Sequence, residues 1–210
     1  MVETRNAVES PGLNLRSISN IAIVVGAVTS GNLWLNRGAP KLGYERYSGH
    51  GFSIEYRKDM WTTTNGLGGG PATDEAGSFQ GTLQADSLEQ FGVIWLASDS
   101  LPTHMQGLGL EGALDYVFAL IEMQGTQFPG RGEAFTTSEG GHEMLYQYFN
   151  ITESGIIIPG IIGAWYCDEG DRILMLYLIH VPDLNQPDVL SQDLEQRWRV
   201  YLDSLRCHQP

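Results

Sequence analysis

Residues 142–181 read HEMLYQYFNITESGIIIPGIIGAWYCDEGDRILMLYLIHV, and this stretch decides the fold. Three runs rich in β-branched and aromatic residues, HEMLYQYFNI, IIGAWYC and RILMLYLIHV, are parted by the turn signals ESG (153–155) and DEGD (168–171). Runs of that length joined by so few residues pair as consecutive antiparallel hairpins. RILMLYLIHV is apolar almost throughout, the pattern of a central strand covered on both faces. A further strand-like run, Glu133 to Ser138, joins them across EGG (139–141).

Upstream, GFSIEYRKDMW (51–61) sets Phe52, Ile54 and Tyr56 against Ser53, Glu55 and Arg57, the two-residue period of a half-buried strand. Ser78 to Gln84 and Phe91 to Ser98 predict a hairpin, with 85–90 as its turn. The Gly-rich segment TTTNGLGGGPATDEAG (62–77) has no apolar period and reads as a loop. From Leu110 the period becomes helical: Leu110, Leu114, Val117, Phe118 and Ile121 share a face, Glu111 and Asp115 lie near the positive end, and Gly125 ends the helix. After Pro182 and Pro187 a last helix places Leu190, Leu194, Trp198, Tyr201, Leu202 and Leu205 on one side. The expectation is an α+β domain over 42–210: an antiparallel β-sheet covered by helices on both faces.

Twelve Lys and Arg against 25 Asp and Glu leave a net charge of −13, which repels phosphate backbones and anionic lipid surfaces and argues against nucleic-acid binding. With 42 % hydrophobic and 18 % charged residues in 210, the chain has the material for a packed core. Residues 1–41 read as a mobile leader containing an apolar segment, 18–35. Ser19, Asn20, Thr29, Ser30, Gly31 and Asn32 interrupt that segment, so no integral membrane span is expected. Ile21 to Val28 fits three readings: a strand, a degenerate export signal, or an assembly arm that completes the sheet of another subunit. The run Val-Thr-Ser-Gly before Asn32 is similar to a lipoprotein cleavage box, with Asn where the lipidated Cys would stand.

The Gly-Phe-Ser-Ile-Glu-Tyr opening that ends at Trp61, the mid-chain helix, the Gly-Ala-Trp-Tyr strand (163–166), the Arg172 to Val181 strand and the closing Asp-Ser-Leu-Arg-Cys (203–207) together resemble PsbP-like domains over roughly 44–207. The resemblance implies an α/β/α sandwich serving mainly as a non-catalytic accessory or binding module. In plants and cyanobacteria such domains are extrinsic lumenal subunits of photosystem II; related folds include Ran-binding import factors, and many prokaryotic members are exported. The long leader and the Cys pair depart from the photosynthetic members. They point instead to a generic extracytoplasmic protein.

Cys167 and Cys207 close two elements, which permits a disulfide, two inert thiols, or redox or metal use. A bridge would close a loop of about 40 residues, worth about 4 kcal/mol by chain entropy, and would fit an oxidising compartment. Asn150-Ile151-Thr152 is a weak glycosylation sequon. Gly107-Leu108-Gly109-Leu110-Glu111-Gly112 satisfies a dinucleotide-turn pattern but follows no strand directly, so it reads as a loop before the helix. His50, His104, His142, His180 and His208 are scattered and read as surface or strand-end imidazoles, while Asp168, Glu169 and Asp171 read as a solvated hairpin tip rather than a calcium loop. Trp61, Trp95, Trp165, Trp198, Tyr146, Tyr148 and Tyr177 are expected in the core, with Trp34 outside it. No nucleophile elbow or phosphate loop occurs.

The sequence therefore predicts a non-enzymatic extracytoplasmic accessory or binding module without cofactor, associating with a protein partner, peripherally with a membrane or envelope complex, or with itself. One alternative is a structural subunit of a surface assembly joined through the N-terminal apolar segment. The other is a small-ligand carrier or enzyme with a pocket near the Gly-rich loop.

Overall fold

The computed structural model describes residues 42–84, 88–139, 142–153, 156–181 and 194–208; the apolar segment 18–35, Trp34 and the Pro182 to Gln192 part of the final helical reading lie outside these. Ten strands and three helices occur among the described residues. The small sheet is made of β1 (Tyr44–Gly49), β2 (Phe52–Arg57) and β10 (Arg206–Cys207), with β2 in the middle. The large sheet has seven strands: β3 (Trp61–Asn65), β4 (Ala76–Gln84), β5 (Leu88–Ala97), β6 (Gln127–Glu139), β7 (His142–Glu153), β8 (Ile156–Cys167) and β9 (Arg172–Val181). Its order is β3-β4-β5-β9-β8-β7-β6 and every pairing is antiparallel. β9 lies at the centre, and all ten of its residues are buried, which is why its sequence shows no polar alternation.

The period of two divides each strand between two cores. On one face, Ile94 and Leu96 of β5, Ile162 and Ala164 of β8, Met175, Tyr177 and Ile179 of β9 pack under α2 (Gly109–Met123), which contributes Leu114, Val117 and Phe118. On the other, Phe79, Phe91, Trp95, Ile161, Leu174 and Leu176 pack under Phe52 and Ile54 of the small sheet and under Trp198 and Tyr201 of α3 (Leu194–Ser204).

This layering corrects the expected α/β/α sandwich with helices on both faces. The protein is mostly antiparallel sheet with small helices, and the second face is covered by the sheet β1-β2-β10 as much as by the 11 residues of α3. The cause is local. Residues 36–50, rich in Gly, Pro and charge, read as a linker, yet Tyr44–Gly49 within them pair as β1 with β2, Tyr47 opposite Ile54, and Tyr47 stacks on Phe79 at 4.0 Å. Residues 62–65, expected in a loop, join Trp61 in β3 and pair with β4.

Other strands run longer than their apolar cores. β6 begins at Gln127 and reaches β7 through two register shifts, one between Gln127 and Gly130 and one between Arg131 and Ala134. β8 begins at Ile156 and takes in Pro159, which pairs with Asn150 of β7; pairing with β9 starts only at Gly160, so the missing N–H of proline costs no ladder bond on that side. Among the aromatics, Trp95, Trp165, Trp198 and Tyr177 are buried as expected, but Trp61 is 54 % exposed and Tyr148 36 %. Trp61 is the first residue of the edge strand β3, and Tyr148 reaches out to Glu195 of α3.

Cys167 and Cys207 form a disulfide, their Cα atoms 5.9 Å apart, which ties β8 of the large sheet to β10 of the small one. Nearby, the buried Arg172 guanidinium donates to the carbonyls of Gly170, His50 and Asp74, so one side chain holds three turns. None of the helices among the described residues is long and apolar enough to cross a membrane.

α3 is also held by charge. Glu195 accepts from the Tyr148 hydroxyl at 2.8 Å and from Arg199 Nε at 3.1 Å and Nη2 at 2.9 Å. Those donors, Tyr148 first, hold its carboxyl below the usual 4.5. A lowered folded pKa stabilises above the unfolded value, and the contribution is lost as pH falls through the folded one. Glu195→Gln should therefore lose less stability than the parent when acidified from about pH 5, read by urea unfolding at successive pH values. Parallel pH profiles would contradict it.

Candidate cavity between helix α2 and the open half of the sheet

Helix α2 packs on β7, β8, β9 and part of β5, and on the same face a gap opens beside it toward β3 and β4. The gap is a cavity of about 500 Å³, within the ordinary range for a small-molecule site. Its apolar wall comes from Ile94, Ile162 and Ile179 of the sheet and Val117, Phe118 and Ile121 of α2. Its rim is the segment 66–69, where the Gly66 amide donates to the Gly70 carbonyl at 3.0 Å and the Gly69 amide to the Gly66 carbonyl at 3.2 Å. Gly69 and Gly70 take φ of 82° and 87°, which excludes other residues without strain, so the glycines are demanded by the fold-back of this rim. Gln124, just past α2, donates to the Leu67 carbonyl at 2.9 Å and joins rim to helix.

The sheet side of the cavity is polar but uncharged. Successive strands bring Asn65, Ser78, Gln80, Gln90 and Tyr177 to one surface, all lining the cavity. Ser78 Oγ donates to the Asn65 carbonyl at 3.4 Å, Gln80 Nε2 to Ser78 Oγ at 3.4 Å, and Gln90 Nε2 reaches Gln80 Oε1 at 3.5 Å and the Tyr177 oxygen at 3.3 Å. The Tyr177 ring lies across β5 because its register partner is Gly92, where a Cβ would come within 2.4 Å of the ring. Burial pushes the Tyr177 phenol well above its usual value, so it stays a neutral hydroxyl. Among the described residues no Asp, Glu, Lys, Arg or His lines the cavity.

The expected pocket near the Gly-rich loop is thus present, but the loop forms only its rim. Sequence reasoning misses the residues that give it chemical character, Gln80, Gln90 and Tyr177. A signal exists: SFQGTLQ (78–84) alternates Ser78, Gln80 and Thr82 with Phe79, Gly81 and Leu83, so this part of β4 has a polar side. That side faces the cavity beside α2 instead of bulk water.

The remaining candidates stay apart. Gly112 of the glycine pattern lets α1 (Thr103–Gln106) approach α2: a Cβ there would lie 2.7 Å from the Met105 carbonyl oxygen. Asn150 sits half-buried in β7 opposite Gly130 and Pro159. Asp171, at the β8–β9 turn with φ of 46°, accepts from Ser98 Oγ at 2.9 Å and from the Tyr166 hydroxyl, bonds that account for its place in the fold. His50 stacks on Trp95 at 4.4 Å and contacts Asp74 at 3.0 Å. Of the surface or strand-end positions expected for the imidazoles, His180 takes the second, next to the end of β9, and is 3 % exposed, with Nδ1 3.1 Å from the Leu88 carbonyl. It belongs to a buried polar group on the opposite face, in which Glu89 takes the Tyr201 hydroxyl at 2.5 Å and Arg197 at 3.0 Å. The sequence places Glu89 in a turn, whereas it stands in β5, one residue from its start. No group of three or more metal-ligating side chains is assembled among the described residues.

No protein-family model matches the chain, and no curated protein matches it. Among solved structures it is similar to cyanobacterial PsbP (CyanoP) from Synechocystis sp. PCC 6803, with a TM-score of 0.52 and 15 % identity over 85 % of this chain and 100 % of that one. PA94 of Pseudomonas aeruginosa, a protein of unknown function, gives 0.33 at 16 % identity over 74 % of this chain and 91 % of that one. The fold is PsbP-like.

Proposed function

We propose that this chain is a non-enzymatic binding module whose working site is the cavity under α2. The observation that carries the reading is the lining: an apolar wall facing a row of amides and hydroxyls, with no group ionised at neutral pH among the described residues. Such a site orients a ligand through a few hydrogen bonds, but offers neither a general base nor a charged electrophile for a reaction. The disulfide suits an oxidising compartment and supports an extracytoplasmic setting.

Native mass spectrometry of the protein from its native host tests this, compared with an Ile121→Trp variant that fills the cavity. The expected result is a discrete mass excess on the parent, released on denaturation and absent from the variant. Equal excess on both, or none on either, would sink the reading.

A second reading is favoured by the PsbP-like fold, which matches the full length of the cyanobacterial protein. It is an accessory role in which the acidic domain, net charge −13, docks on a protein partner at a membrane or envelope complex. Cross-linking in the native host before and after a salt wash tests it. A salt-sensitive adduct of one fixed mass is expected; an unmodified monomer under both conditions counts against it.

A further inference from the structure

The polar end of the cavity specifies what it takes. Gln90 and Tyr177 are 5 % and 9 % exposed, so their hydrogen-bonding groups meet few water molecules. Gln90 Nε2 donates toward both Gln80 Oε1 and the Tyr177 oxygen. That leaves two capacities. Among the described residues neither the Tyr177 hydroxyl proton nor Gln90 Oε1 has a protein partner. A buried donor beside a buried acceptor, on adjacent strands and joined through one hydrogen bond, complements a group that both accepts and donates.

A carboxylate only accepts, and would face Gln90 Oε1 with no cation in the described lining to offset its burial. An ammonium only donates, and would face the Tyr177 proton. A primary amide has a carbonyl for Tyr177 and an N–H for Gln90, and carries no charge. Toward Ile94, Ile162, Phe118 and Ile121 the cavity wall is apolar.

Resting on the reading of the cavity as the working site, we infer that its ligand is a neutral acyl amide or a close analogue: a hydrocarbon body whose uncharged head accepts from Tyr177 and donates to Gln90. Head polarity, not tail length, then sets specificity. Fatty-acid anions with the same tail are excluded by the cost of burying an unpaired charge.

The probes are decanamide, decanoate and the neutral dye Nile red, each titrated against the full-length protein. Nile red fluorescence should rise on binding, and decanamide should displace the dye with a stoichiometry of one. Decanoate should be at least about tenfold weaker at neutral pH. Tyr177→Phe and Gln90→Leu should each weaken decanamide about fivefold, and Gln90→Leu should narrow its margin over decanoate. Their thermal midpoints show that the fold is kept, and Ile121→Trp should abolish all three.

Dye binding that Ile121→Trp removes, with decanoate equal to or better than decanamide, overturns the ligand class and leaves the binding site standing. Failure of decanamide to displace the dye overturns the ligand class in the same way. Dye uptake that is absent, or unaffected by Ile121→Trp, overturns the binding reading with it.

Discussion

Trp198→Ala should lower the unfolding free energy by about 3–5 kcal/mol, the range for deleting a fully buried indole. Trp198 is 1 % exposed and joins three parts of the second core. Its ring lies over Gly163 of β8, where a Cβ would approach to 2.6 Å, and its Nε1 donates to the Leu176 carbonyl of β9 at 3.0 Å. Truncation leaves a void floored by glycine, which has no side chain to fill it, and deprives the Leu176 carbonyl of its indole donor. Gly163→Ala attacks the same contact from below by pushing the ring out, and should destabilise by about 1–3 kcal/mol. Because both variants act on one contact, the double variant should cost less than the sum of the two. Urea unfolding of the three proteins checks this, and strict additivity would place Trp198 elsewhere.

That contact explains how much of the fold is legible in the sequence. Trp198 is readable as core from its helical spacing with Leu194, Tyr201 and Leu205, and β9 from its unbroken apolar run. Both signals are one-dimensional. Gly163 is readable as part of a strand but not as the floor of an indole pocket, because what fills the space above a glycine comes from another element. The same limit hides β1. Tyr44 to Gly49 carries two charges and three exposed residues, and it becomes a strand only because Tyr47 finds Phe79 across the two sheets. The sandwich expectation fails there, since a layer assembled from a weakly patterned segment and the two-residue strand β10 leaves little trace in the sequence.

The cavity is half legible for a related reason. Its rim announces itself through GLGGG, a composition that few other structures demand. Its chemistry is spread over four strands whose order, β3-β4-β5-β9, does not follow the chain. Gln80 and Gln90 are near in sequence, but Tyr177 reaches them only because β9 inserts beside β5, 87 residues after Gln90. The pattern of β4 shows that one side is polar; only the position of α2 shows that this side lines a cavity.

The disulfide gives the second large effect. Cys167→Ala with Cys207→Ala should lower stability by about 4 kcal/mol, the chain-entropy value for closing a loop of this length, the two cysteines being 40 residues apart. The loss would be felt unevenly. β10 pairs with β2 through only Arg206 and Cys207, and the His208 amide adds one bond to the Gly51 carbonyl at 2.9 Å. Without the covalent tie, two residues of ladder must hold the chain end after α3, and a two-residue strand contributes little by itself. The large sheet keeps its own core beneath α2 and does not depend on that bond. Hydrogen exchange should therefore quicken first at Ser53, Arg206 and Cys207, then along α3, while β8 and β9 slow the exchange nearly as before. Reduction of the parent protein should reproduce the pattern with no mutation at all. A uniform acceleration across both sheets would mean that the two layers unfold as one unit, and that the bridge stabilises the whole molecule rather than fastening its second layer.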